Sequence, residues 1–390
     1  LPFIDRPLMN TARPIRVMLI DDSAVVRRVL AEVLRQRRFE VIAALQDPLL
    51  ALEFLKKDLP DVIVLDVEMP RMDGLTFLRQ LMESHAIPVV MCSTLTTEGD
   101  ETTLAALALG ATAIVCKPAL GLKDFLQDEA NGLIQAVRNA SRCNMRNLRQ
   151  TAATRPMATL PSVRQTSATR PLPAPPVSTT RPAPASPASP GTPRPLFATS
   201  HKVVVIGIST GGVQAIEQVL SRLPRDAPGM VIVQHMPAKF TASLAQRLNG
   251  LCAMEVREAR HGDRVLPGLA LIAPGGLHTR LARSGAQFTV EVFDGPTVNH
   301  HKPSVDVLFR SAAASAGKNA IGVIMTGMGD DGARGLRELH QAGAHTIAQD
   351  EASSVVFGMA REAIRLGGVS EVVPLADIAE RVLRHGNKVC

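Results

Sequence analysis

Twelve prolines fall within residues 151–200 of this chain, in runs such as Pro-Ala-Pro-Pro and Ser-Pro-Ala-Ser-Pro with hardly a large apolar side chain among them. Such a stretch favours extended polyproline conformations and cannot bury enough surface to fold. A single core cannot pass through it, so the chain must fold as two bodies. We place a Pro-rich flexible linker at 141–200, between domains at 15–140 and 201–386. The total of 390 residues suits that division.

Both flanking segments alternate strand-like and helix-like patterns. Upstream, Ile15–Ile20, Val41–Leu45, Val62–Leu65, Pro88–Met91 and Ala113–Val115 are apolar runs separated by helical patterns. Val25, Val26, Val29, Leu30, Val33 and Leu34 follow the i, i+3, i+4 rule, which predicts one apolar helix face laid on a sheet. A doubly wound five-stranded parallel sheet of the flavodoxin-like kind follows. Downstream, Val203–Ile206, Val231–Val233, Ala270–Ile272, Ile321–Met325 and Thr346–Ala348 predict a second, larger α/β parallel sheet. Shorter Gly-rich segments between Ala253 and Val292 predict an inserted β-hairpin. The chain has no Trp or Tyr, so its cores must rest on aliphatic side chains, as buried parallel strands do.

The net charge of +7 first suggests a nucleic-acid partner, but five arginines and no acid lie in 151–200, and without them the balance is +2. The domains are nearly neutral and poor in aromatic residues, which argues against nucleic acid. A DNA-binding output domain after the first body is disfavoured too, because the downstream half alternates strands where a compact helix-turn-helix would be needed. Cys92, Cys116, Cys143, Cys252 and Cys390 fit no metal or disulfide spacing and suit a reducing compartment. No apolar run is long enough to span a bilayer, and Leu1–Arg16 is broken by Asp5, prolines and arginines. The expectation is a soluble cytoplasmic protein, a monomer without membrane insertion.

In open parallel sheets, functional groups collect beyond the carboxyl ends of strands. Upstream, these ends deliver Asp21 and Asp22, then Asp66, Ser93 and Lys117. Carboxylates forced together need a compensating cation, and Mg²⁺ suits a site with few carboxylates and a position for a phosphoryl oxygen. Lys117 and the Ser93 hydroxyl can meet the remaining phosphoryl oxygens. Ile-Asp-Asp-Ser, Leu-Asp-Val-Glu-Met-Pro-Arg-Met-Asp-Gly and Cys-Lys-Pro resemble the response-regulator receiver family. That resemblance implies Asp66 as phosphoacceptor, Asp21, Asp22, Asp66 and the Glu68 backbone as Mg²⁺ ligands, and Ser93 and Lys117 as sensors of the phosphoryl group.

Downstream, Ser209 follows an apolar strand and precedes Thr210, Gly211 and Gly212, which open a helix. Such a turn exposes a hydroxyl beside N–H donors. The segment lacks the spacing of a dinucleotide or phosphate loop and departs from the Gly-x-Ser-x-Gly elbow. Among ten histidines, His235 alone ends a strongly apolar strand, making it the candidate base. Asp330 and Asp331, beyond another strand, are both candidates to orient it. Cys252, His261, His278 and His345 read as structural or surface residues, and solvation accounts for the polar loop His300, His301 and Lys302.

Gly-Ile-Ser-Thr-Gly-Gly, Gln-His-Met-Pro, His-Lys-Pro-Ser-Val-Asp-Val-Leu-Phe and Thr-Gly-Met-Gly-Asp-Asp-Gly resemble the protein-glutamate methylesterases of bacterial chemotaxis, the CheB family. The resemblance implies Ser209 as nucleophile, His235 as base and Asp331 as its orienting acid, with Thr210 and the Met328 backbone N–H nearby as auxiliary groups, and it offers the loop His300, His301 and Lys302 as an alternative wall of the substrate groove. It also implies phosphorylation-activated hydrolysis of glutamyl methyl esters on methyl-accepting chemoreceptors, glutamine deamidation, a histidine kinase as phosphodonor, and no cofactor for the ester chemistry.

Overall fold

A computed structural model describes residues 13–93, 97–117, 129–148, 202–238 and 240–386. Of the stretch expected to be linker, 141–148 fall within that set, and 149–200 lie outside it.

The N-terminal sheet has strands β1 (Arg16–Ile20), β2 (Glu40–Leu45), β3 (Val62–Asp66), β4 (Val89–Ser93) and β5 (Ala113–Cys116), ordered β2-β1-β3-β4-β5 and all parallel. β3 and β4 are buried along their whole length, as central strands covered on both faces must be. Helices α1 (Ala24–Gln36), α2 (Pro48–Leu55), α3 (Gly74–Ser84), α4 (Thr97–Leu109) and α5 (Glu129–Ala140) connect and cover the strands. The α1 face buries Val29, Leu30, Val33 and Leu34 as its spacing predicts, but Val25 is 67% exposed. It stands in the first turn, just after the Ser23 hydroxyl has capped the helix through Val26 N–H, on the side away from the sheet.

The C-terminal sheet has seven parallel strands in the order β14-β13-β12-β6-β7-β9-β8. They are β6 (Val203–Ile208), β7 (Gly229–Gln234), β8 (Glu255–Glu258), β9 (Leu269–Ile272), β12 (Ala320–Ile324), β13 (His345–Gln349) and β14 (Glu371–Val373). The five longer apolar runs are the five inner strands. The edge strands β8 and β14 have short, charged sequences with no apolar run to mark them. Between β9 and β12 the chain forms the predicted hairpin, β10 (His278–Ser284) and β11 (Gln287–Phe293), a separate two-stranded antiparallel sheet. Helices α6 (Gly212–Leu220), α7 (Phe240–Asn249), α8 (Val305–Ser315), α9 (Ala333–Gln341), α10 (Met359–Arg365) and α11 (Ile378–Gly386) complete the layers.

The two sheets belong to one compact unit. Leu104 and Leu107 of α4 share an apolar cluster with Ile216 and Leu244 of α6 and α7, and the Gln214 side chain donates to the Leu107 carbonyl. Residues 141–148 lie against the second domain. Asn144 N–H donates to the Val355 carbonyl at 2.8 Å, and the Asn147 amide donates to the carbonyls of Ala352 and Ser354, each at 2.8 Å.

Candidate active site and receiver pocket

Ser209 lies directly beyond β6, in a turn that local sterics make specific to glycine. Gly211 has φ +76°, and a Cβ there would come within 2.6 Å of the Val355 side chain. A Cβ on Gly212 would collide with Gln234 Oε1 at 2.2 Å. The chain can therefore turn into α6 within three residues, closed by Gly212 N–H donating to the Ser209 carbonyl at 2.8 Å. Gly211 at the N-cap makes no side-chain cap bond, so among the described residues no side chain accepts the first N–H groups of α6. The loop beyond β12 presses on the same turn. Ser209 N–H donates to the Thr326 carbonyl at 3.0 Å, Thr326 Oγ1 donates to the Thr210 carbonyl at 2.9 Å, and a Cβ on Gly327 would stand 2.8 Å from Ser209 Cβ. Met328, half-buried, is the next residue in that loop.

His235 follows β7, the neighbour of β6, and its N–H donates to the Ile208 carbonyl at 3.1 Å. Its Nε2 lies 2.8 Å from Asp331 Oδ2. Asp331 is buried, and Asp330 is exposed, so the geometry separates the two acids that the sequence left open. Asp331 Oδ2 also accepts from Val305 N–H at 2.7 Å. Its Oδ1 accepts from Ser304 Oγ at 2.7 Å, Asn299 Nδ2 at 2.8 Å and Asp306 N–H at 3.2 Å. Burial opposes the charge on this carboxylate, but the bonds from His235, Asn299 and Ser304 outweigh it and hold the carboxyl far below its ordinary range. Two of the donors are the first N–H groups of α8, so Asp331 fills the capping position that Ser304, with no cap bond of its own, leaves open.

An ionised Asp331 accepts a proton-bearing Nε2, which leaves the lone pair of His235 on Nδ1. Nδ1 is buried and has no hydrogen-bond partner among the described residues. The arrangement can take a proton at Nδ1 while Asp331 stabilises the resulting imidazolium.

Four contributors escaped the sequence reading. Solvation does not account for His301: its ring stacks on that of His235 with centroids 3.7 Å apart and 9° between planes. Burial, with His235 adding to it, pushes its pKa down to about 4, so it is neutral beside the base at neutral pH. Its Nδ1 lies 2.7 Å from the Asn299 carbonyl. Asn299 bridges Asp331 and Asp306, whose Oδ1 in turn accepts from Gly335 N–H at 2.7 Å. Ser304 and Asp306 sit in His-Lys-Pro-Ser-Val-Asp, so the motif was visible, but its role depends on folding back across 25 or more residues onto Asp331.

In the N-terminal domain, Asp21 and Asp66 are buried and Asp22 is exposed, and the three offer oxygens within 4.8 Å of one another. Lys117 Nζ stands 2.6 Å from Asp66 Oδ2 and 3.0 Å from Asp21 Oδ2. Burial pushes the Asp66 carboxyl up to about 6, with the Asp21 charge adding to the effect and Lys117 opposing it. Ser93 ends β4 and is buried, and the exposed Glu68 donates its N–H to Asp66 Oδ1 at 3.3 Å. The surrounding cleft is lined by Asp22, Asp66, Glu68, Thr102 and Lys117. Crowded carboxylates open to a cleft, with one of them resisting ionisation, fit a small hard cation.

A doubly wound domain with this acidic cleft is joined to a parallel-sheet domain in which a buried Asp–His pair and a serine stand at neighbouring strand ends, an arrangement of the hydrolase class. Comparison with known families agrees: residues 17–127 match the response regulator receiver domain, and residues 204–382 match the CheB methylesterase. The chain belongs to the CheB family of protein-glutamate methylesterases/protein-glutamine glutaminases. A relative so named from Xanthomonas campestris pv. campestris is 56% identical over 367 residues, 94% of this chain and 99% of its own. Another, from Shewanella denitrificans, is 54% identical over 371 residues, covering 95% and 99%. Among solved structures, the Thermotoga maritima CheB methylesterase catalytic domain is 37% identical, covering 47% of this chain and 98% of that one, with a TM-score of 0.46. Among the described residues, no helix is long and apolar enough to cross a membrane.

Proposed function

We propose that this methylesterase removes methyl groups from glutamyl esters of chemoreceptors, and deamidates receptor glutamines, through Ser209, His235 and Asp331. The observation that carries the reading is the 2.8 Å bond between His235 Nε2 and a five-fold hydrogen-bonded Asp331, which leaves Nδ1 as the base. Ser209 Oγ attacks the ester carbonyl as Nδ1 takes its proton, and the carbonyl electron pair moves onto oxygen. Backbone N–H groups at Thr210 and Met328 receive that oxyanion; the Met328 thioether cannot, having no hydrogen to donate. Collapse of the intermediate expels methoxide, which takes the proton from His235 and leaves as methanol. Water, deprotonated by the same nitrogen, then hydrolyses the acyl-serine to the free carboxylate. A glutamine follows the same course with ammonia leaving. Every step uses groups of the chain, so the ester chemistry needs no cofactor.

The receiver supplies control. Asp66 is the phosphoacceptor for a histidine kinase, with Asp21, Asp22, Asp66 and the Glu68 backbone holding Mg²⁺. Bound there, Mg²⁺ would neutralise phosphoryl oxygens during transfer. Lys117 is already placed on Asp66, and Ser93 lies at the adjacent strand end. The bonds of Asn144 and Asn147 to residues 352–355 support coupling, because Val355 packs against Gly211 of the nucleophile turn. Phosphorylation then shifts the balance between a receiver that restrains this loop and one that frees it. We place the domains at 15–140 and 201–386, and the protein in the cytoplasm as a monomer.

The test is methanol release from methylated receptor with and without a phosphodonor and Mg²⁺. Ser209→Ala should abolish release while leaving the thermal midpoint in place. Retained release would sink the nucleophile assignment, and equal rates for Asp66→Ala and phosphorylated wild type would sink the regulation.

A further inference from the structure

One degree of freedom of the base is not set by Asp331. A single hydrogen bond at Nε2 holds the His235 ring, and rotation about its Cβ–Cγ bond is soft. One bond at one ring atom does not fix the plane of the ring, and Nδ1 has no partner among the described residues to help it. The missing constraint comes from the side. The His301 ring lies parallel to the imidazole, 3.7 Å away and 9° off its plane, so turning His235 about Cβ–Cγ would drive a ring edge into it. His301 is itself fixed: it exchanges backbone bonds with Val298 at 2.9 and 3.1 Å, and its Nδ1 donates to the Asn299 carbonyl at 2.7 Å. Between Val298 and His301 the chain makes a two-residue turn with both residues left-handed, Asn299 at φ +52° and His300 at +65°. That conformation costs energy outside glycine and persists where the surroundings over-determine it. Here the turn delivers two side chains to one catalytic pair, Asn299 to Asp331 and His301 to His235.

We propose that His301 is a positioning residue for ester hydrolysis: its stacked ring fixes the plane of the His235 imidazole, so that Nδ1 is held toward the nucleophile turn. The proposal rests on His235 as the base and adds a residue that acts through it, without touching the reacting atoms. The stacked ring has to be neutral, because a charged one at this distance would oppose the imidazolium that forms on His235. Burial, His235 and His300 lower the His301 pKa against the pull of Asp331 and the Asn299 carbonyl, and at about 4 it leaves the ring uncharged at neutral pH. His301 is thus suited to brace the base and unsuited to replace it.

Steady-state methanol release is measured at neutral pH over a range of methylated-receptor concentrations for the full-length parent, His301→Leu, His301→Phe and His235→Ala. Leucine fills the space without a flat face; phenylalanine keeps a flat, neutral face and gives up the bond to the Asn299 carbonyl. His301→Leu should lower kcat by about 10- to 100-fold with KM within about twofold, as misplacement of a catalytic group by an ångström does. His301→Phe should return kcat to within about threefold of the parent. Thermal midpoints report folding, and His301→Gln replaces His301→Leu if the latter does not fold. A parent-like kcat in His301→Leu overturns the proposal. So does a raised KM at unchanged kcat, which would make His301 a wall of the substrate groove, and so does equal loss in Leu and Phe, which would reduce it to a loop tie. His235→Ala reads the base separately: release that survives it sinks the base assignment, whereas its loss beside a parent-like His301→Leu sinks the stack alone.

Discussion

Replacing Asp331 by Asn tests the catalytic reading through a choice of orientation that the surrounding donors force. The Oδ2 position meets His235 Nε2 and Val305 N–H; the Oδ1 position meets Ser304 Oγ, Asn299 Nδ2 and Asp306 N–H. An amide nitrogen at the Oδ1 position would face the Asp306 backbone N–H, which cannot accept, and the Asn299 amide, which could turn its oxygen inward only by losing its bond to Asp306. At the Oδ2 position it would strand only Val305 N–H, because His235 can answer by moving its proton from Nε2 to Nδ1. The amide should therefore turn its nitrogen to the imidazole and convert the base nitrogen into an N–H. A wrong tautomer of this kind costs about 10⁴-fold in kcat in a comparable triad. The loss should fall on kcat with little change in KM, since Asp331 is enclosed by protein donors. One stranded backbone N–H and the lost charge together should lower stability by about 3–5 kcal/mol. Methanol release and urea unfolding of the same preparation check both numbers. A folded Asp331→Asn protein with kcat reduced less than about tenfold would refute the tautomer argument.

Asp66→Asn should gain stability relative to wild type as pH rises, measured by urea midpoints without Mg²⁺. The folded carboxyl is raised from 3.8 to about 6, so below pH 4 both states hold the proton and the residue costs nothing. Between the two values only the folded state holds it, stability falls as pH rises, and above pH 6 the full cost of about 3 kcal/mol applies. A difference between the two proteins that is flat from pH 4.5 to 7 would remove the case for a reluctant phosphoacceptor. Asn147→Ala deletes two hydrogen bonds to the 352–354 loop, about 2 kcal/mol of restraint, and should raise unphosphorylated methanol release by up to about 30-fold. An unchanged basal rate would show that these bonds do not restrain the site. Gly327→Ala places a methyl 2.3 Å from Met359 Sδ and 2.8 Å from Ser209 Cβ, and should cost about 1–3 kcal/mol of stability together with most of the activity. Retention of both would mean the loop yields where the packing says it cannot.

Legibility in the sequence followed the range of the interaction. Both sheets were readable because all five strands of the first and the five inner strands of the second are apolar runs, and because polar residues mark their carboxyl ends, as Asp66 and His235 do. Edge strands β8 and β14 were not, since only Val256 and Val373 of them are buried and their sequences carry charge. Asp330 and Asp331 could not be told apart by position, because only burial against α8 distinguishes them. His301 read as a solvated loop residue, since nothing local reveals that its ring lies on His235.

The carboxylate that aligns His235 is also the seat of the α8 amino terminus. The alignment of His235 is therefore conditional on finished tertiary structure: a chain whose α8 has not docked lacks the donors that fix Asp331 against the imidazole, however well β6 and β7 have paired. Such an esterase is silent until assembled, and local melting of α8 would extinguish it before the fold as a whole gives way.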